Sequence, residues 1–207
     1  MSLGVWWRDR LATVRQQSGP AAILLADARF LLLDIDVTGL DSNRDRARGV
    51  AVLPFHDQAF RIADITYLDL EVAERCGNSG GTGVAEKSRD LGEAMAGQLI
   101  VAYNPRFVRH MISQTAGLEA LAQVGDRWID LRALLIGVFG TDMGDMPSMK
   151  RWQQRLNIDV VSEHSAICDL ASMAQLLQIA IAYCDDLRIA TLEQLMESKA
   201  NDEWLRG

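Results

Sequence analysis

The sequence has few of the residues that staple or punctuate a chain. It has three cysteines, Cys76, Cys168 and Cys184. Their number is odd and no two stand in C-x-x-C spacing. That argues against a disulfide framework or a thiolate zinc site, and it fits a reducing cytoplasm. Four prolines are too few for a linker-rich chain. No stretch approaches the ~18 consecutive apolar residues of a membrane span. The first ten residues lack the basic, apolar and small-residue order of a secretory signal. No membrane association is therefore expected. There is no internal repeat and no low-complexity tract. Excess positive charge is missing too: 21 Lys and Arg stand against 28 Asp and Glu, a net charge of −7. Such a chain has no general attraction for phosphate backbones, although bound divalent cations and a local basic rim can reverse the sign at one site. Arginines cluster at Arg44, Arg46 and Arg48, and at Arg106 and Arg109. By charge pattern these are solvated loop or helix faces. The run Gly80-Gly81-Thr82-Gly83 lacks the Gly-Lys-Ser/Thr end of a P-loop and reads as a flexible loop.

Apolar residues are plentiful, at 49% of 207 positions, enough to bury the core of one α/β domain with a modest appendage. Residues 1–28 read as a helical extension. Trp6, Trp7, Leu11 and Val14 share a stripe that Ser18-Gly19-Pro20 ends. Residues 29–190 read as the main domain and 191–207 as a C-terminal helix. Phe30-Leu31-Leu32-Leu33 is a continuous apolar run, as in a strand buried on both faces. Thr38 to Asn43 is turn chemistry. Residues 49–55 and 60–70 predict a second and third strand joined as a hairpin. A helix over 84–97, a strand over 99–102, a helix opened by Asn104-Pro105 and a short strand at Trp128-Ile129 follow. Helices are expected at about 131–139, 147–156, 164–184 and 191–203. Three strands in succession, then strands alternating with helices, predict a mixed five-stranded sheet flanked by helices, closer to a ribonuclease H-like α/β fold than to a dinucleotide fold.

Two places carry chemistry. Side chains alternate along a strand, so Asp34 and Asp36 of Asp34-Ile35-Asp36 point to the same side. Two carboxylates leaving a buried strand together repel unless a cation lies between them. Hard oxygen ligands suit magnesium or manganese. The same pair also suits a solvated strand end leading into a turn. The second place is His164-Ser165-Ala166-Ile167-Cys168-Asp169, at the start of a long helix, with Ser162 or Ser165 as N-cap. Asp169 there could complete a metal site and His164 could act as a general base. A dipole-favoured aspartate beside a surface histidine fits the same residues.

Taken together, these residues resemble a known family. Phe30 to Asp41, with its Asp34-Ile35-Asp36-Val37-Thr38-Gly39-Leu40 centre, resembles the first motif of the DnaQ-like 3′-5′ exonucleases, which include the proofreading subunit of the bacterial replicative polymerase. Val101-Ala102-Tyr103-Asn104-Pro105-Arg106-Phe107 is similar to the second motif. His164-x-Ala166-x-x-Asp169 is similar to the third, in the version with a histidine base. Asp130 falls where the family often has an aspartate.

The resemblance implies a two-metal phosphodiesterase using Mg2+ or Mn2+. Asp34 would bridge both cations, Asp36 and Asp169 would complete the first, and His164 would take a proton from the attacking water. Thr38, Gly39 and Leu40 would cradle the 3′-terminal nucleotide of DNA or RNA, and Asn104 and Phe107 would shape the pocket. Three positions depart from the family pattern. Asp36 stands for a glutamate, Val37 for a threonine, and Val108 for the aspartate that normally follows Phe107. No acidic residue lies between Glu93 and Glu119, so a register shift cannot supply the missing carboxylate. Two functions follow: a 3′-5′ exonuclease of reduced activity, or a degenerate exonuclease-fold module that binds nucleic acid or a partner protein such as a polymerase.

Overall fold

In the computed structural model the described residues are 23–39, 41, 44–71, 80–122, 128–140, 147–159 and 165–197. The Trp6–Val14 stripe, Cys76, Leu40 and His164 lie outside them. The apolar run that opens β1 (Phe30–Val37) makes it the central strand. It pairs antiparallel with β2 (Ala47–His56), with Phe30 opposite Phe55 and Asp36 opposite Gly49. On its other edge it pairs parallel with β5 (Leu99–Ala102), which pairs parallel with β6 (Trp128–Asp130). β3 (Ala59–Phe60) and β4 (Thr66–Asp69) both pair with β2. The sheet therefore has six strands. The expected third strand over 60–70 is divided, because the chain makes a 3-10 turn at Ile62–Asp64 and re-enters the sheet two residues later.

Seven helices lie among the described residues: α1 (Gly80–Met95), α2 (Pro105–Gln114), α3 (Glu119–Ala122), α4 (Leu131–Phe139), α5 (Met149–Arg155), α6 (Ala166–Asp186) and α7 (Leu192–Glu197). The Gly80–Gly83 run is thus the first turn of α1 and not a loop. Pro105 takes the first position of α2, where its missing N–H costs nothing.

Strand alternation divides the core in two. Phe30 and Leu32 face a cluster formed with α4, α5, α6 and α7, in which Trp152, Leu170, Leu177 and Ile181 are buried. Leu31, Leu33 and Ile35 face a second cluster formed with α1, α2 and α3. Leu25, Ala28, Leu192 and Leu195 join the first cluster, and backbone bonds from Leu25 to Ala190 and from Leu192 to Ile23 tie the two segments together. By length and composition α6 could cross a membrane. In this fold its apolar residues instead line the first cluster from Ala166 to Cys184.

Candidate active site

The parallel pairing of β1 with β5, and of β5 with β6, brings three carboxyl-terminal strand ends side by side. In α/β sheets this is where ligand crevices form. Asp34 and Asp36 continue the alternation of Phe30 and Leu32, so both lie on the α6 face. The first turn of α6 delivers Asp169 to the same end. Burial pushes the Asp34 carboxyl up to about 8, and the neighbouring charges of Asp169 and, more weakly, Asp36 push the same way. The Ile35 N–H pulls the other way, and positive charge brought to the site would favour the charged form further.

Asp36 is differently engaged. Its Oδ1 accepts the backbone N–H of Ala166 at 2.8 Å, and its Oδ2 accepts the hydroxyl of Tyr67 at 2.9 Å. Ser165, the N-cap residue of α6, makes no side-chain capping bond. Asp36 fills that place from 130 residues away in sequence. Among the described residues no three His, Cys, Asp or Glu side chains converge as a cation-holding group. The structure thus sets Asp169 against Asp34 and turns Asp36 toward Ala166 and Tyr67.

The loop after β1 is built around Asp45. Its Oδ1 accepts the Thr38 hydroxyl at 2.9 Å, and its Oδ2 accepts the Asp41 N–H at 2.8 Å. The Thr38 hydroxyl in turn accepts the Arg46 N–H at 3.1 Å. A Cβ on Gly39 would come within 2.5 Å of the Asp45 carboxylate, so glycine there lets the side chain pass. The hydroxyl expected to cradle a nucleotide is already part of the loop's own scaffold.

Asn104 caps α2, its side-chain oxygen accepting the Phe107 N–H at 3.4 Å, and it holds a left-handed φ of 105°. Positive φ is uncommon outside glycine, and asparagine is among the residues that tolerate it. Phe107 is half-buried against the second cluster. Val108 is only 4% exposed and belongs to that cluster, which lies on the face of the sheet away from Asp34. Tyr103 donates its hydroxyl to the Pro147 carbonyl at 2.6 Å. Asp130 caps α4 through the N–H groups of Arg132 and Ala133. Its carboxylate serves that helix.

Sequence reasoning missed Tyr67, Gly49 and Asp45. Burial, followed by the bond to Asp36, pushes Tyr67 up to about 12. Its ring crosses Gly49, where any Cβ would overlap it. A glycine inside a strand is the signal that could have pointed here, since it marks a bulge or a close approach. The β1–β2 register does slip between Asp36 and Val37, leaving Arg48 as the extra residue. Arg48 pairs with Glu71 at 3.0 Å.

No protein-family profile matches the chain, and no curated protein sequence matches it. Solved structures do. Escherichia coli exonuclease I in complex with a dT13 oligonucleotide aligns with a TM-score of 0.55 at 12% identity, over 78% of this chain and 43% of that one. The zinc-bound form of the E. coli exonuclease I–ssDNA complex aligns with a TM-score of 0.51 at 12% identity, over 79% and 42%. A moderately thermophilic exonuclease I from Methylocaldum szegediense aligns with a TM-score of 0.50 at 15% identity, over 86% and 43%. The chain spans less than half the length of these proteins. At such identities the likeness is one of fold. The mixed sheet and its flanking helices have the ribonuclease H-like architecture of the exonuclease I nuclease domain.

Proposed function

We propose that this chain is a divalent-cation-dependent 3′-5′ exonuclease of reduced activity, acting on the 3′ ends of DNA or RNA in the cytoplasm. The observation that carries this reading is the Asp34–Asp169 pair of carboxyl groups at the carboxyl end of the sheet, with Asp34 pushed up to about 8 by burial and by Asp169. The donor set fits the cation that the fold implies. Carboxylate oxygens suit magnesium or manganese, and both ions accept waters where protein ligands are few. Asp34 and Asp169 would hold it, with Asp36 beside them. When bound, the cation supplies positive charge for the attacking and leaving oxygens of the phosphodiester.

The chain's own residues do the rest. His164, two residues before α6, is assigned as the base that takes the proton of the attacking water. Thr38, Gly39 and Leu40 are assigned to the terminal nucleotide, with Thr38 held by Asp45. Asn104 and Phe107, at the start of α2, are assigned to shaping the pocket. Single-stranded DNA in the exonuclease I complexes supports a single-stranded substrate. The assignment of residues 1–28, 29–190 and 191–207 to an extension, a catalytic domain and a C-terminal helix belongs to the same proposal.

A second reading has its own support. Val108 brings no oxygen to the site, and the fold's remaining carboxylates do not form a trio among the described residues. A module that binds nucleic acid or a polymerase-like partner without cleavage accounts for both facts. One experiment separates the readings: incubation of 5′-labelled single-stranded DNA and RNA with the chain and with Asp34→Ala, in Mg2+ and in Mn2+. A ladder shortening from the 3′ end in wild type alone supports the exonuclease. Equal background in both proteins, with retained binding by fluorescence anisotropy, favours the module.

A further inference from the structure

We propose that Tyr67 is a positioning residue that commits Asp36 to tying β1 to the start of α6, leaving the cation to Asp34 and Asp169. Only the last clause rests on the functional reading above. The tie itself rests on contacts in the fold. Both Asp36 oxygens are engaged, one by the Ala166 N–H at 2.8 Å and one by the Tyr67 hydroxyl at 2.9 Å. Ala166 is fully buried, so its N–H has no water to turn to, and Ser165 offers it no side chain. A negative charge at the first turn of a 21-residue helix also complements the helix dipole.

Three positions cooperate. An aspartate at 36 keeps its carboxylate close to the strand, within reach of the helix start. Gly49, directly opposite Asp36 in the sheet, leaves room for the Tyr67 ring. Tyr67, on the strand beyond Gly49, reaches across and holds the second oxygen. Asp169 is one turn into the helix so anchored, and its backbone N–H bonds to the Ser165 carbonyl at 2.8 Å. Fixing Ala166 therefore fixes where Asp169 stands relative to Asp34. Asp36 contributes by position rather than as a ligand, and Tyr67 keeps it in that role.

The test follows the Ala166 amide by NMR hydrogen exchange in the full chain, and Mg2+ binding by calorimetry. Without metal, Tyr67→Phe should speed exchange at Ala166 roughly tenfold, the scale of a lost helix cap. Gly49→Ala, which displaces the Tyr67 ring, should do the same, and far-UV circular dichroism confirms that each variant is folded. Unchanged exchange in both variants overturns the tie. In wild type, saturating Mg2+ should leave Ala166 protected. Loss of that protection would mean that Asp36 has moved to the cation, which also overturns the proposal. Tyr67→Phe should tighten Mg2+ about tenfold, because a released carboxylate adds ligand charge. A purely structural tyrosine would leave Mg2+ affinity unchanged or lower it, and that result sinks the assignment. If wild type and Asp34→Asn both take up no Mg2+, the exonuclease reading fails, while the tie is still decided by the metal-free exchange.

Discussion

The two faces of one strand end differently in this molecule. On the α6 face, the side-chain series of β1 runs Phe30, Leu32, Asp34, Asp36, from the first core cluster into a group of carboxylates. On the α2 face it runs Leu31, Leu33, Ile35 and stays apolar, closed by Val108, Met111 and Ile112. The first face can gather charge because α6 enters there with its N-terminus and Asp169. The second excludes water. There α2 presents Val108, only 4% exposed, and no carboxylate.

Breaking the charged face should have the largest effect. Asp34→Ala should lower 3′-end hydrolysis by on the order of a hundredfold or more, since a cation's share of transition-state stabilisation is several kcal/mol. Gel analysis of labelled oligonucleotides measures it, and undiminished cleavage would move the site elsewhere.

Breaking the apolar face comes next. Val108→Asp should destabilise the metal-free chain by about 2–4 kcal/mol, because it buries a carboxyl among apolar side chains. Melting in EDTA and in Mn2+ separates two causes. Partial recovery by Mn2+ would mean that position 108 can reach the cation, and equal losses in both would mean that the two faces are isolated.

The third measurement sharpens the electrostatics. Burial and Asp169 raise Asp34 from its ordinary 3.8 to about 8 in the folded chain. The folded state then holds the Asp34 proton more tightly than the unfolded state. Its contribution is present below the unfolded value and is lost as pH rises to the folded one. Metal-free stability should fall by a few kcal/mol between about pH 4 and pH 8. Asp34→Asn should flatten this slope, and Mg2+ should stabilise wild type more at pH 8 than at pH 6. Chemical denaturation across the pH range reads all three, and a flat wild-type profile would contradict the buried-pair description.

The smallest effect belongs to the loop after β1. Thr38→Val removes a bond to Asp45 and one from Arg46 at an exposed position. It should cost roughly 1 kcal/mol of stability and weaken oligonucleotide binding more than Tm. Equal loss in both would make Thr38 a fold residue only.

Much of the fold was legible because its signals are local. The 30–33 run, the Asn104-Pro105 helix start and the 99–102 strand need only periodicity and turn chemistry. The division of the third strand at Ile62–Asp64 was not, because Phe60 to Leu70 keeps enough apolar character to read as one strand while the chain turns away from the sheet. Asp34, Asp36 and Asp169 were singled out by strand alternation and helix-start position, and grouped only by their resemblance to the exonuclease motifs. Tyr67 and Asp45 were not, since each acts through one partner that no short motif contains.

The sequence by itself determined that two aspartates share a face of a buried strand, and that a third aspartate stands in the first turn of a long helix. Alternation and helix-start chemistry are properties of neighbouring residues. Only the tertiary structure decided that Asp34 faces Asp169 while Asp36 turns to Ala166 and Tyr67. That choice depends on β4 and α6, brought to one strand end by pairings across 31 and 130 residues, and on the depth to which packing buries each carboxylate.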